Sequence, residues 1–162
     1  MKLLLLLLLL LTVIMLTAKS QTYYVVRHAE KAQTSDNPPL TDAGMKRARA
    51  LNDYLKNKHV SFIFSTNTLR TISTATPLSK TIHSNIIFYK NPDKAFIDTL
   101  KALRKNTLIV GHSNTVDDIV NALSNAENIH EDLKDTQYDN LYIVTIKGKK
   151  AFFKALKYGK AS

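Results

Sequence analysis

Four short apolar, β-forming runs alternate with four amphipathic segments between Thr22 and Leu123, and this alternation leaves few folds open. The runs are Thr22–Val26, Val60–Ser65, Asn85–Tyr89 and Thr107–Val110. Between and after them, apolar residues recur at helical spacing. Ala43, Ala48, Leu51 and Leu55 predict a helix from the N-cap Thr41 to about Lys58, and Leu69, Ile72 and Leu78 a second from about Thr68. Phe96, Ile97, Leu100 and Leu103 predict a third over Asp93–Lys105, and Thr115–Leu123 a fourth. Strands alternating with helices build βαβ units and a mainly parallel sheet covered on both faces. A polar, acidic stretch, Ala126–Asp139, separates this part from two last strands, Leu141–Ile146 and Ala151–Leu156, joined by the turn Lys147-Gly148-Lys149. They add an antiparallel edge hairpin. The expected fold is α/β, a three-layer αβα sandwich with a mainly parallel central sheet.

The first 20 residues stand apart from this pattern. Lys2 gives a positive start, Leu3–Leu16 is an apolar run of 14 residues, and small residues follow at Ala18 and Ser20. This is the pattern of a secretory signal peptide cut between Ser20 and Gln21. The run is short of the roughly 20 residues that span a bilayer, so no stable membrane insertion is expected after cleavage. Residues 21–162 then form one domain, exported to the periplasm or the exterior. The chain has no cysteine, so that domain must rest on an ordinary hydrophobic core.

The net charge of +10 falls to +8 once Lys2 and Lys19 are removed. Such a field draws in anions, phosphate esters among them. The densest lysines (Lys147, Lys149, Lys150, Lys154, Lys157, Lys160) lie in the last hairpin and tail, where they read as a solvated, aggregation-resistant edge. No nucleic-acid-binding motif accompanies them, and no nucleic-acid partner is expected.

The chemistry is placed at strand ends. Arg27-His28 ends the first strand, Arg70 falls in the first turn of the helix after the second, and Gly111-His112 ends the fourth. Ligands of open α/β sheets bind just outside the carboxyl ends of strands. Adjacent parallel strands would bring all three positions to one rim. A guanidinium presents paired, permanently charged donors, and a neutral imidazole is a nucleophile. Together they suit a phosphorylated substrate. His59, His83 and His130 lie in polar connections and receive no role. Ser113 lacks the following glycine of a nucleophile elbow.

At this point the sequence resembles the histidine phosphatase superfamily, the phosphoglycerate-mutase-like proteins. Arg27-His28-Ala29-Glu30 resembles its Arg-His-Gly/Ala-Glu signature, and Leu40-Thr41-Asp42-Ala43-Gly44 its helix start. The segment from Ser65 through Arg70 to Ala75 is similar to its second-arginine segment, Val110–Asn114 to its second-histidine segment, and Tyr138–Tyr142 to its closing strand. The resemblance implies that His28 attacks phosphorus and becomes transiently phosphorylated. Arg27, Arg70 and His112 would bind the phosphoryl oxygens, with neither metal nor cofactor. It further implies a metal-independent phosphatase acting on phosphate monoesters or phosphohistidine, in small molecules or phosphoproteins, as a monomer.

The acid that protonates the leaving oxygen is the role least well filled. One branch of the family carries a glutamate in the loop after the third strand, where this chain offers only Asp93, itself a natural helix N-cap after Pro92. Another branch has an aspartate directly after the second histidine, where Ser113 stands. Glu30 is a further candidate, though usually structural in the family pattern. Two rival readings are a degenerate module that binds phosphate or polyanions without turnover, and a mutase-type phosphotransferase.

Overall fold

The strand Gln21–Arg27 (β1) is buried on both faces of the sheet, and the rest of the fold is laid around it. The computed structural model describes residues 20–33 and 35–160; apart from Ser20, the signal-peptide reading falls outside the described residues. Along β1, Tyr23 and Val25 join one core and Tyr24 and Val26 the other, as the two-residue period of a strand requires. The remaining strands are Phe62–Ser65 (β2), Ile86–Phe88 (β3), Thr107–Gly111 (β4), Asn140–Lys147 (β5) and Lys150–Lys157 (β6). They form one six-stranded sheet in the order β3-β2-β4-β1-β5-β6. The first four are mutually parallel, and β5 runs antiparallel to β1 and to β6.

The helices are Asp42–Leu55 (α1), Leu69–Ile82 (α2), Lys94–Leu103 (α3) and Val116–Ser124 (α4). Leu51 and Leu55 of α1 pack with Ala75 and Leu78 of α2 on one face of the sheet. Ile97 and Leu100 of α3 pack with Ile119, Val120 and Leu123 of α4 on the other. This is the expected three-layer sandwich with its edge hairpin. Several element bounds are shorter than the sequence expectation: β2 starts at Phe62 and not Val60, and α3 ends at Leu103 and not Lys105. α1 stops at Leu55, and β3 is only three residues long because it is an edge strand with Ile87 and Phe88 exposed. The stretch between α4 and β5 forms neither helix nor strand; it turns back over the carboxyl ends of the strands.

The topology fixes where a site can lie. α1 follows β1 on one face, α4 follows β4 on the other, and β1 and β4 are neighbours. A crevice opens where adjacent strands send their connections to opposite faces, so the β1 and β4 ends are the natural binding point.

The helix after β1 is docked by two short residues. Thr41 caps α1, accepting from the Gly44 amide at 3.1 Å, while its own amide donates to the Glu30 carbonyl at 2.9 Å. Gly44 lies directly on that carbonyl: a Cβ there would come within 2.3 Å of the Glu30 oxygen. Gly44→Ala should therefore lower the unfolding free energy by about 1–3 kcal/mol through overpacking, measured by urea denaturation; an unchanged midpoint would contradict this contact.

Candidate active site

Three consecutive residues after β1 are each held by a different element. The His28 amide donates to the Gly111 carbonyl on β4 at 2.9 Å. The Ala29 amide donates to Thr74 Oγ1 on α2 at 2.9 Å, and Thr74 Oγ1 donates onward to the Arg70 carbonyl at 2.8 Å. The Glu30 carbonyl is held by Thr41, as above. Thr74 thus ties the Arg27-His28 turn to the helix turn that carries Arg70.

The His28 ring is 3% exposed, and its Nδ1 lies 2.8 Å from its neighbour's carbonyl, Ala29 O. A carbonyl can only accept, so Nδ1 carries the proton. In the neutral ring, Nε2 is then a free lone pair. The His112 ring lies 5.5 Å from it, centroid to centroid. His112 is fixed by a hydrogen bond between Nε2 and Thr66 Oγ1 at 2.9 Å and by donation from its amide to Thr115 Oγ1 at 2.9 Å. Gly111 is required there, since a Cβ would meet Thr115 Oγ1 at 2.8 Å and the Tyr89 hydroxyl at 2.9 Å.

The charge around these rings is positive. Arg27 is 3% exposed and donates through Nη1 to the Lys134 carbonyl at 2.8 Å. Its Nη2 contacts the exposed Asp135 carboxylate at 3.2 Å, and its guanidinium lies 4.4 Å above the Tyr138 ring. Tyr138 also approaches His28, at 5.9 Å between rings. Among the described residues, the Arg70 side chain makes no hydrogen bond or ion pair, and its Nε is buried without a partner. Burial, with Arg27 alongside, lowers the Arg70 pKa from its ordinary value. Desolvation, together with Arg27, His112 and Arg70 and against the Ala29 hydrogen bond, pushes His28 down to about 3. Burial, with Arg70 and Arg27, pushes His112 down to about 4. A pair of cations with so little compensation, beside two neutral imidazoles, is arranged for an anion.

Arg27, His28, Arg70 and His112 therefore converge, as expected from the strand ends. Asp93 and Glu30 are engaged elsewhere. Asp93 caps α3, accepting from the Phe96 amide at 2.9 Å. Glu30 receives Arg47 Nε on both oxygens at 2.9 Å, and Arg47 Nη2 at 2.6 Å. Thr66, Thr74, Asp135 and Tyr138 received no site role from the sequence. Thr74 sits in the second-arginine segment, four residues after Arg70, a usable signal. The return of Lys134–Tyr138 onto Arg27 leaves no periodic trace. Among the described residues no group of three or more His, Cys, Asp or Glu is placed to hold a metal ion.

These environments predict that both imidazoles stay neutral well below the ordinary histidine value of 6.5. In ligand-free protein, imidazole NMR should find His28 and His112 uncharged at pH 5, with His28 in the Nδ1–H form. Titration of His28 near 6.5 would contradict the burial and charge described.

The family model "Histidine phosphatase superfamily (branch 1)" matches residues 23–91, which include Arg27, His28 and Arg70. No curated protein sequence matches the chain. The fold is similar to that of the protein histidine phosphatase SixA complexed with tungstate, with TM-score 0.69, 18% identity, and coverage of 84% of this chain and 96% of that one. A protein assigned as the phosphohistidine phosphatase SixA of Agrobacterium tumefaciens aligns with TM-score 0.63 at 15% identity, covering 86% and 97%. Phosphoglycerate mutase from Bacillus anthracis str. Sterne aligns with TM-score 0.57 at 15% identity, covering 86% and 93%. The amino-terminal motifs thus match the histidine phosphatase superfamily model over residues 23–91, and the fold is shared along nearly the whole of these solved structures.

Proposed function

We propose that this protein is a phosphatase that hydrolyses phosphate monoesters or phosphohistidine through a phosphoryl group carried transiently on His28. The observation that carries this reading is the single proton of His28 committed to Ala29 O at 2.8 Å, which leaves Nε2 free beside two guanidiniums. Attack by Nε2 on phosphorus breaks the bond to the leaving group; water then attacks the phosphorus of phosphohistidine and returns the electron pair to Nε2. Arg27 and Arg70 hold and neutralise the phosphoryl oxygens, and His112 lies beside them as a neutral hydrogen-bonding ring, in both halves. Phosphoryl transfer is governed mainly by positioning and electrostatics, and these residues supply both without a metal.

A hydrolase is favoured over a mutase because only the short helix α3 joins β3 to β4, with no inserted cap to retain a product for return transfer. The SixA structure carries tungstate, an oxyanion of phosphate-like shape, and a phosphorylated ligand is the corresponding reading here. The domain is proposed to act outside the cytoplasm, on the strength of the apolar run 3–16 and the small residues Ala18 and Ser20.

The test uses residues 21–162 with para-nitrophenyl phosphate and EDTA. Turnover should persist in EDTA and fall by at least about 1,000-fold in His28→Ala, as expected when a nucleophile is removed. Phosphate binding without any turnover would instead favour the phosphate-binding module. Equal rates in the wild type and His28→Ala would overturn the mechanism.

A further inference from the structure

The site described so far lacks a group to protonate the leaving oxygen. Asp93 is spent on a helix cap and Glu30 on Arg47. Among the described residues, Asp135 is the one carboxylate that hydrogen-bonds or ion-pairs with Arg27, His28, Arg70 or His112.

Its placement is built into the chain. Leu133, buried in the α3–α4 core, anchors the segment on one side, and its amide donates to the Ser113 carbonyl at 3.0 Å. Lys134 and Gln137 close a turn: the Gln137 amide donates to the Lys134 carbonyl at 2.9 Å, and the Lys134 amide to Gln137 Oε1 at 2.7 Å. Tyr138, against Arg27 and His28, anchors the other side. Asp135 stands at the crest of this turn, its side chain 95% exposed apart from the Arg27 contact.

We propose that Asp135 is the acid that protonates the leaving oxygen of unactivated alkyl phosphates, and the base that then activates water. This rests on the phosphatase reading above and specifies its substrate class. Arg27 spends one proton of Nη1 on the Lys134 carbonyl and one of Nη2 on Asp135, and each nitrogen keeps a second, so the same guanidinium can hold a phosphoryl oxygen while Asp135 remains in place. A phosphoryl dianion on that guanidinium is a like charge beside the carboxylate, which favours the protonated form. In the first half-reaction the Nε2–P bond forms, the P–O bond breaks, and the departing oxygen takes the Asp135 proton. In the second, the Asp135 carboxylate takes a proton from water as that oxygen bonds to phosphorus. The N–P bond then breaks, and phosphate leaves with Asp135 protonated again.

An alkoxide leaving group needs this proton far more than para-nitrophenolate does. Asp135→Asn should lower kcat/KM for glycerol 2-phosphate by about 100-fold and that for para-nitrophenyl phosphate by less than about 3-fold. Asp135→Ala should behave alike, and the exposure of the side chain predicts unchanged melting for both. Equal losses on the two substrates would overturn the proposal, making Asp135 only a support for Arg27. So would an unchanged alkyl rate, or a wild type that cleaves the aryl ester alone. A wild type inactive on both esters would overturn the phosphatase reading for esters, and this assignment with it.

Discussion

The 2.8 Å hydrogen bond from His28 Nδ1–H to the Ala29 carbonyl is the interaction on which the reading of the site depends. A neutral imidazole has one proton, and committing it to a carbonyl selects the nitrogen that can act as nucleophile. That carbonyl points correctly only because the backbone around it is held. β4 takes the His28 amide, Thr74 takes the Ala29 amide, and Thr41 holds the Glu30 carbonyl. The sheet and both helices on one face therefore set the angle of a single ring. Gly44 and Gly111 are the two places where this grip leaves no room for a side chain.

Electrostatics complete what the backbone begins. Arg27 and Arg70 are held close enough that each contributes to lowering the His28 and His112 pKa values, alongside burial. Repulsion between the buried Arg27 and the half-buried Arg70 is a cost that the fold bears, and an anion bound between them would relieve it. Arg27 is held by the Lys134 carbonyl, the Tyr138 ring and the exposed Asp135, whereas Arg70 waits without a partner among the described residues. The asymmetry means that Arg27 is oriented in advance and Arg70 is the freer cation. Preorganised charge of this kind lowers a barrier because nothing has to reorient as charge develops.

Much of this is legible in the sequence. The alternation of strands and helices implied the layers, and strand-end placement brought Arg27, His28, Arg70 and His112 to one rim, because side chains at the ends of parallel neighbours must share an edge. Asp93 had two readings in the sequence, cap and acid; the structure places it as the cap, since a residue at an N-cap has an amide within immediate reach. What sequence could not deliver was contact over long separation without periodicity. Asp135 meets Arg27 across 108 positions, through a turn whose geometry follows from the burial of Leu133 and the packing of Tyr138. Neither leaves a pattern in the local sequence. The tautomer of His28 was equally hidden, since it depends on the direction of one carbonyl.

The central claim is that His28 itself carries the phosphoryl group. The most direct measurement mixes residues 21–162 with excess para-nitrophenyl phosphate, quenches in alkali, where phosphohistidine survives, and maps the adduct by mass spectrometry. The account predicts one phosphoryl group on the peptide containing His28, absent when that residue is alanine. Turnover with no adduct on His28, or an adduct on another residue, would contradict it.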